Sequence, residues 1–173
     1  MTSYGFHITR GSSFALHVFT DVDWASSIDD RKSTGGYLVF FGQTPISWKS
    51  SKQRTFAHSS IEAKYKALTD GTAEVIWLQY LLTYLQVPSV STPTIWCDSI
   101  GATYLSANPI FHTRTTHVEV DYLFFRDRVP KKEIEIFFVP SQDQLVNVFT
   151  KLLFVASFTA FRFKLWVDPL PST

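Results

Sequence analysis

The chain has a single cysteine among its 173 residues, Cys97, which rules out an internal disulfide and any zinc site built on paired cysteines, and which fits a reducing compartment. Net charge is nearly absent as well. Sixteen Lys and Arg stand against 15 Asp and Glu, a formal +1, so no global field draws in nucleic acid or an anionic membrane, and any such binding has to come from a local patch. The N-terminal stretch MTSYGFHITRGSS holds no apolar run of signal-peptide length. The longest late apolar stretch, LLFVASFTAF at 152–161, falls short of a membrane helix, which needs about 20 residues. The expectation is an intracellular, soluble protein with no membrane partner, cytoplasmic or nuclear being undecided. No repeat, low-complexity segment or obvious linker interrupts the chain. What is present, 45% hydrophobic and 16% aromatic residues, is ample for the core of one globular domain.

From Ser13 to Asp21, SFALHVFTD is β-branched and aromatic with no breaker and ends on an acid, which predicts a strand. DDRKSTGG is a turn signal, and the apolar YLVFFG and PISWKSS after it complete a three-stranded antiparallel meander. SSIEAKYKAL, from Ser59, opens a helix. Ser59 with Glu62 three residues on matches the capping box, and apolar residues at 61, 65, 68, 75, 78, 82 and 85 keep helical spacing for a helix over 60–85, with Asp70-Gly71 an interruption that admits a bend. PTIWCDS at 93–99 reads as a short strand closing on an acid, IGATYLSAN as a short helix, VEVDYLFFRDRV at 118–129 as a helix, EIEIFFVP as an alternating strand and SQDQLVNVFTKLL as a capped helix. The order is β-β-β-α-β-α-α-β-α, an α/β fold with helices packed on a mixed sheet.

Two of these strands end on acids, Asp21 and Asp98, and acids at strand ends converge on one edge of a sheet. Clustered carboxylate oxygens suit hard divalent ions, two of which can clamp the attacking and leaving oxygens of a phosphodiester. Spacing alone leaves the plainer alternative open, that each acid is a turn residue or helix cap. Asp23 reads as a turn or surface residue and Cys97 as a small buried hydrophobe.

The blocks FTDVDWASSIDDRKSTGGYLVFFGQTPISWKSSKQRTFAHSSIEAKYKAL, IWCDSIGATYLSANPIFHTRTTHVEVDYLFFRDRV and IEIFFVPSQDQLVNVFTKLL, in this order, resemble the ribonuclease H domain of copia-type LTR retrotransposon polyproteins, from about Tyr4 to Lys151. The resemblance implies a ribonuclease H-like fold with a mixed five-stranded sheet, a domain over 1–151 and a divergent tail over 152–173. It also implies cleavage of the RNA strand of an RNA–DNA hybrid with two Mg2+ (or Mn2+) ions, and a reverse transcriptase domain as neighbour in the parent polyprotein. A chain beginning just ahead of the first strand then looks like a detached fragment. Carried onto this sequence, the metal-binding places fall on Asp21, Lys64, Asp98 and Asn147. The family's glutamate is lysine at 64, where EAEY has become EAKY, and its last aspartate is asparagine at 147. Asp21, Asp98 and the carbonyl of Asn147 remain as metal ligands. Binding of magnesium is expected to be weak and nuclease activity low.

Lys64 either pairs with Asp21 and Asp98 as a tethered counter-ion or extends to solvent on its long stem. Glu62 lies about 200° around the helix from the face of residue 64, so it reads as the cap and not as a substitute ligand. Lys49, Lys52 and Arg54, with Lys64 and Lys66 following, form a phosphate-contacting surface or, equally well, a solvated hairpin. Arg31, Lys32 and Ser33 match a turn that the resemblance places near substrate. His112, Arg114 and His117 match a further block whose role is nucleic-acid contact or loop anchoring.

Overall fold

A computed structural model describes residues 4–6, 8, 13–87, 91–107, 128–165 and 167–169. The predicted meander is present as β2 (Leu16–Asp23), β3 (Thr34–Phe41) and β4 (Thr44–Lys52). With β5 (Thr94–Cys97) and β6 (Glu135–Phe138) they form a five-stranded sheet in the order β4-β3-β2-β5-β6. The meander is antiparallel, whereas β2–β5 and β5–β6 are parallel, which requires crossovers. The first crossover is helix α1 (Ser60–Tyr84), and α2 (Ile100–Ala107) opens the second. Most of the segment at 118–129, expected to be helical, lies outside the described residues.

Two short strands, β1 (Tyr4–Phe6) and β7 (Val167–Pro169), pair antiparallel as a separate ribbon that the sequence reading did not contain. The SQDQLVNVFTKLL segment also differs from expectation. It starts as a 3₁₀ turn over Ser141–Asp143, runs extended through Gln144, and becomes helical only as α3 (Asn147–Thr150). The side chain of Gln144 is the reason: it is fully buried, and its Nε2 donates to the Thr20 carbonyl of β2 at 3.0 Å. That bond pulls the chain onto the sheet where a continuous helix would carry it away. Beyond it, α4 (Val155–Lys164) brings Leu165 and Val167 against Leu38 and Phe40, so part of the 152–173 segment packs on the sheet.

The sheet is apolar on both faces. Val18, Tyr37, Val39 and Ile95 meet Tyr65, Leu68, Val75 and Leu78 of α1 on one face. On the other, Leu38, Phe19, Trp96 and Phe137 are direct cross-strand neighbours, with Phe19 stacked on Trp96 at 6.2 Å between centroids.

Helix α1 begins as its sequence dictates. Ser59 Oγ accepts from the Glu62 N–H at 3.1 Å, while Glu62 Oε2 accepts from the N–H of His58, one residue before the cap, at 2.8 Å. Burial alone would push the Glu62 carboxyl up, but the Lys66 ammonium at 2.7 Å and the His58 N–H outweigh it and hold the group below its usual range. The helix runs unbroken through Gly71. At Gly71 α1 approaches β2 closely, since a Cβ there would stand 2.6 Å from Thr20 Cγ2 and 3.2 Å from Val18 Cγ1.

Two outcomes follow. Gly71→Ala lowers stability although alanine gains about 1 kcal/mol in helix propensity, because overpacking costs about 1–3 kcal/mol. Adding Thr20→Ser, which removes the clashing methyl and keeps the hydroxyl, recovers part of the loss in urea-unfolding midpoints. Glu62→Gln costs about 1 kcal/mol at neutral pH. Because the folded carboxyl titrates below its ordinary 4.5, the stabilisation is complete above that value and is lost as pH falls through the lowered one, so the gap between Glu62→Gln and the unmodified chain closes on acidification.

Candidate active site

The parallel register of β2 with β5 sets the site. Thr20 pairs with Cys97, so the next residue on each strand, Asp21 and Asp98, stand side by side at the same edge of the sheet. Both carboxylates are almost wholly buried, with side-chain exposures of 0% and 4%. Across β2, Asp21 faces Gly36 of β3, where a Cβ would stand 2.8 Å from the Lys49 carbonyl and 3.1 Å from Thr150 Cγ2. Glycine at 36 therefore lets α3 close down on Asp21.

Around the acids the structure gathers two ammonium groups. Lys64 Nζ donates to Asp98 Oδ1 at 2.5 Å and lies 4.0 Å from Asp21 Oδ1. With these contacts, and a side chain only 20% exposed, Lys64 points into the site and not out to solvent. Lys151 Nζ approaches Asp21 Oδ2 at 3.1 Å, and the Thr150 hydroxyl donates to the same oxygen at 2.8 Å. Ser141 Oγ donates to Asp98 Oδ2 at 3.1 Å. Asn147 is used at both ends of its amide, Nδ2 donating to the Ser141 carbonyl at 2.6 Å and Oδ1 accepting from Lys151 at 2.7 Å. Asp21 Oδ1 is buried with no hydrogen bond. Burial, and then the neighbouring Asp98 charge, push the Asp21 carboxyl up despite Lys151 and Thr150. Burial likewise raises the Cys97 thiol to about 11, which makes it an inert core residue.

The four predicted site residues thus come together, and three others join them. Ser141, Thr150 and Lys151 were not anticipated, although Thr150 and Lys151 sit three and four residues after Asn147, a spacing that places all three on one face of a helix. As it stands, the donor set does not fit a pair of magnesium ions. Two carboxylates remain, each already engaged by an ammonium, and among the described residues no three His, Cys, Asp or Glu side chains cluster as ligands.

The predicted nucleic-acid contacts are more dispersed. Lys49 and Lys52 line a groove of about 470 Å³ with Arg54, Lys66, Tyr37 and Gly36, beside the carboxylate end of the sheet. Several of these cations are held locally: Lys49 by Asp70 at 3.1 Å, Lys52 by Asp30 at 2.9 Å and Lys66 by Glu62 at 2.7 Å. Lys52 holds the Asp30 carboxyl well below the usual range, and Lys32 lies 3.8 Å from the same group. Arg31 and Arg54 are exposed. Ser33 is buried, its hydroxyl accepting from the Ala25 N–H at 3.1 Å, and so it fixes the β2–β3 turn from within. His112, Arg114 and His117 lie outside the described residues.

Comparison with known proteins places the fold. The chain is 40% identical over 169 residues, 98% of its length, to the retrovirus-related Pol polyprotein from transposon RE1 of Arabidopsis thaliana, and 40% identical over 97% of its length to that from transposon RE2 of the same plant. The corresponding polyprotein from transposon TNT 1-94 of Nicotiana tabacum is 36% identical over 83% of the chain. The chain spans only 11–12% of the length of these relatives. No protein-family model matches it. Among solved structures, the N-terminal RNase H domain of a Mycobacterium tuberculosis protein superposes with a TM-score of 0.58 at 11% identity, covering 87% of this chain and 98% of that one. LC11-RNase H1 in complex with an RNA/DNA hybrid superposes with a TM-score of 0.53 at 9% identity, covering 75% and 88%. At such identities the superpositions establish the fold, and the polyproteins establish the kinship: the chain is a ribonuclease H-like domain related over 98% of its length to a segment of the Pol polyproteins of copia-type retrotransposons.

Proposed function

We propose that this domain engages RNA–DNA hybrid in the manner of its fold and cuts the RNA strand weakly or not at all. The observation that carries the reading is the Lys64 ammonium, 2.5 Å from Asp98 and 4.0 Å from Asp21. Cleavage by the two-ion route that the resemblance implies needs positive charge that can bind both the acids and the phosphodiester oxygens. An ammonium neutralises the acids but offers no open coordination position and activates no water. It also opposes a divalent ion: at 4 Å and an effective dielectric near 20, two unit charges repel by about 4 kcal/mol, and a divalent ion doubles that before solvent relaxes it.

Support for hybrid engagement comes from the groove beside the carboxylates. Arg54 and Arg31 are exposed there and at the neighbouring turn, and Lys49 and Lys52 can exchange a carboxylate partner for a phosphate at little cost, since exposed ion pairs are worth about 0–1 kcal/mol, whereas Lys66 stays with the buried Glu62. The same pairing favours a second reading. With three of its cations already matched by Asp70, Asp30 and Glu62, the domain is a remnant that folds alike and binds no nucleic acid. In the parent polyprotein setting, the neighbouring partner would be a reverse transcriptase domain.

A labelled RNA–DNA hybrid incubated with the unmodified chain in Mg2+ and in Mn2+, beside Lys64→Glu with Asn147→Asp, separates these outcomes. The unmodified chain is expected to leave the RNA intact and the double variant to cut it. Cleavage by the unmodified chain that Asp21→Asn abolishes would overturn the reading. Retention of hybrid in EDTA that weakens steeply with salt supports engagement, and none at low salt selects the remnant.

A further inference from the structure

The two buried carboxylates pose a charge problem that the chain has solved internally. Asp21 and Asp98 carry two negative charges into a site with side-chain exposures of 0% and 4%, and Lys64 and Lys151 return two positive ones. Three of the four carboxylate oxygens are directly partnered: Asp98 Oδ1 by Lys64, Asp98 Oδ2 by Ser141, and Asp21 Oδ2 by Thr150 and Lys151. The fourth, Asp21 Oδ1, is buried with no hydrogen bond and faces the Lys64 ammonium at 4.0 Å. The ammonium therefore stands between one oxygen of each acid, the place that a shared cation would occupy.

We propose that the Lys64 ammonium is a tethered replacement for a divalent cation, so that the folded site is complete without metal and acquires affinity for a hard divalent ion only when that ammonium is removed. The proposal rests on the placement of Lys64 used above but not on hybrid binding. In the unmodified chain an entering ion must displace a covalently attached competitor whose effective concentration does not fall on dilution. Truncation at 64 leaves two carboxylate oxygens, Asp98 Oδ1 and Asp21 Oδ1, facing the vacated space with Lys151 as the sole remaining ammonium of the pair. Oxygen ligands of this kind suit Mg2+ and Mn2+. Arginine at 64 would keep the charge and exclude the ion as lysine does.

The test uses the whole chain without nucleic acid. Thermal unfolding is followed in EDTA, in Mg2+ and in Mn2+ for the unmodified chain, Lys64→Ala, Lys64→Gln and Lys64→Ala with Asp98→Asn, and Mn2+ binding is read directly from water-proton relaxation. The unmodified chain is expected to keep one Tm in all three conditions. Lys64→Ala is expected to melt lower in EDTA and to rise with Mn2+ concentration, binding the ion about a hundredfold more tightly than the unmodified chain. The added Asp98→Asn removes the response. Should Lys64→Ala not fold in EDTA, folding on addition of Mn2+ supports the proposal, and if it folds in neither condition Lys64→Gln decides by the same relaxation measurement. A Tm of the unmodified chain that rises with millimolar Mg2+, or a folded Lys64 variant as indifferent to Mn2+ as the unmodified chain, would overturn it. Loss of hybrid binding alone would leave it standing, because no nucleic acid enters the measurement.

Discussion

Two carboxylates side by side at the ends of parallel strands repel each other, and an interior of low dielectric sharpens the repulsion; the rest of the site is arranged around supplying positive charge to them. Parallel register leaves no freedom here. Once Thr20 pairs with Cys97, Asp21 and Asp98 must be neighbours, whatever the loops do. The positive charge then arrives from two places in the chain, Lys64 from the start of α1 and Lys151 from the end of α3, and the neutral hydroxyls of Ser141 and Thr150 add hydrogen bonds. An ion pair buried this deeply is weak evidence of stability, because desolvation of four charged groups offsets much of the attraction. Its consequence is specificity of position. Removing any one member leaves a buried charge without compensation, which costs more than the pair contributed, and so the members hold one another in place.

The meander, the first helix and the strand at 94–97 were legible because their signals are local: alternating or continuous apolar runs, a glycine-marked turn, a capping box and helical spacing of apolar residues. Asp21 and Asp98 could be paired from their strand ends, but Lys64 and Asn147 were legible only through resemblance, since nothing in the spacing of the four tells that two strands and two helices converge. What escaped depended on long-range contact. Gln144 breaks a helix that its neighbours favour, because its side chain is needed by the Thr20 carbonyl 124 residues away. Strand β7 exists only against β1, at the other end of the chain, and no property of VDP announces it. Gly71 misled for the opposite reason. Read locally it is a helix breaker, but in the fold it sits within an unbroken helix at a place where a side chain would meet Thr20 and Val18.

That contact also governs where Lys64 can reach. Residues 64 and 71 are seven apart, two turns of helix, so they lie on nearly the same side of α1 and about 10 Å apart along its axis. With no Cβ at 71, the helix backbone settles onto Thr20 and Val18, and the turn two steps upstream is brought low enough over the strand ends for a lysine stem to place its ammonium on Asp98 and near Asp21. Glycine at 36 performs the matching task on the other side, admitting α3 with Thr150 against Asp21. The charge cluster is therefore held between two elements that glycine allows to approach, one on each face of the sheet. A side chain at either position would widen the site by the thickness of a methyl group, and the ion contacts near 3 Å are the first that such a widening would lengthen.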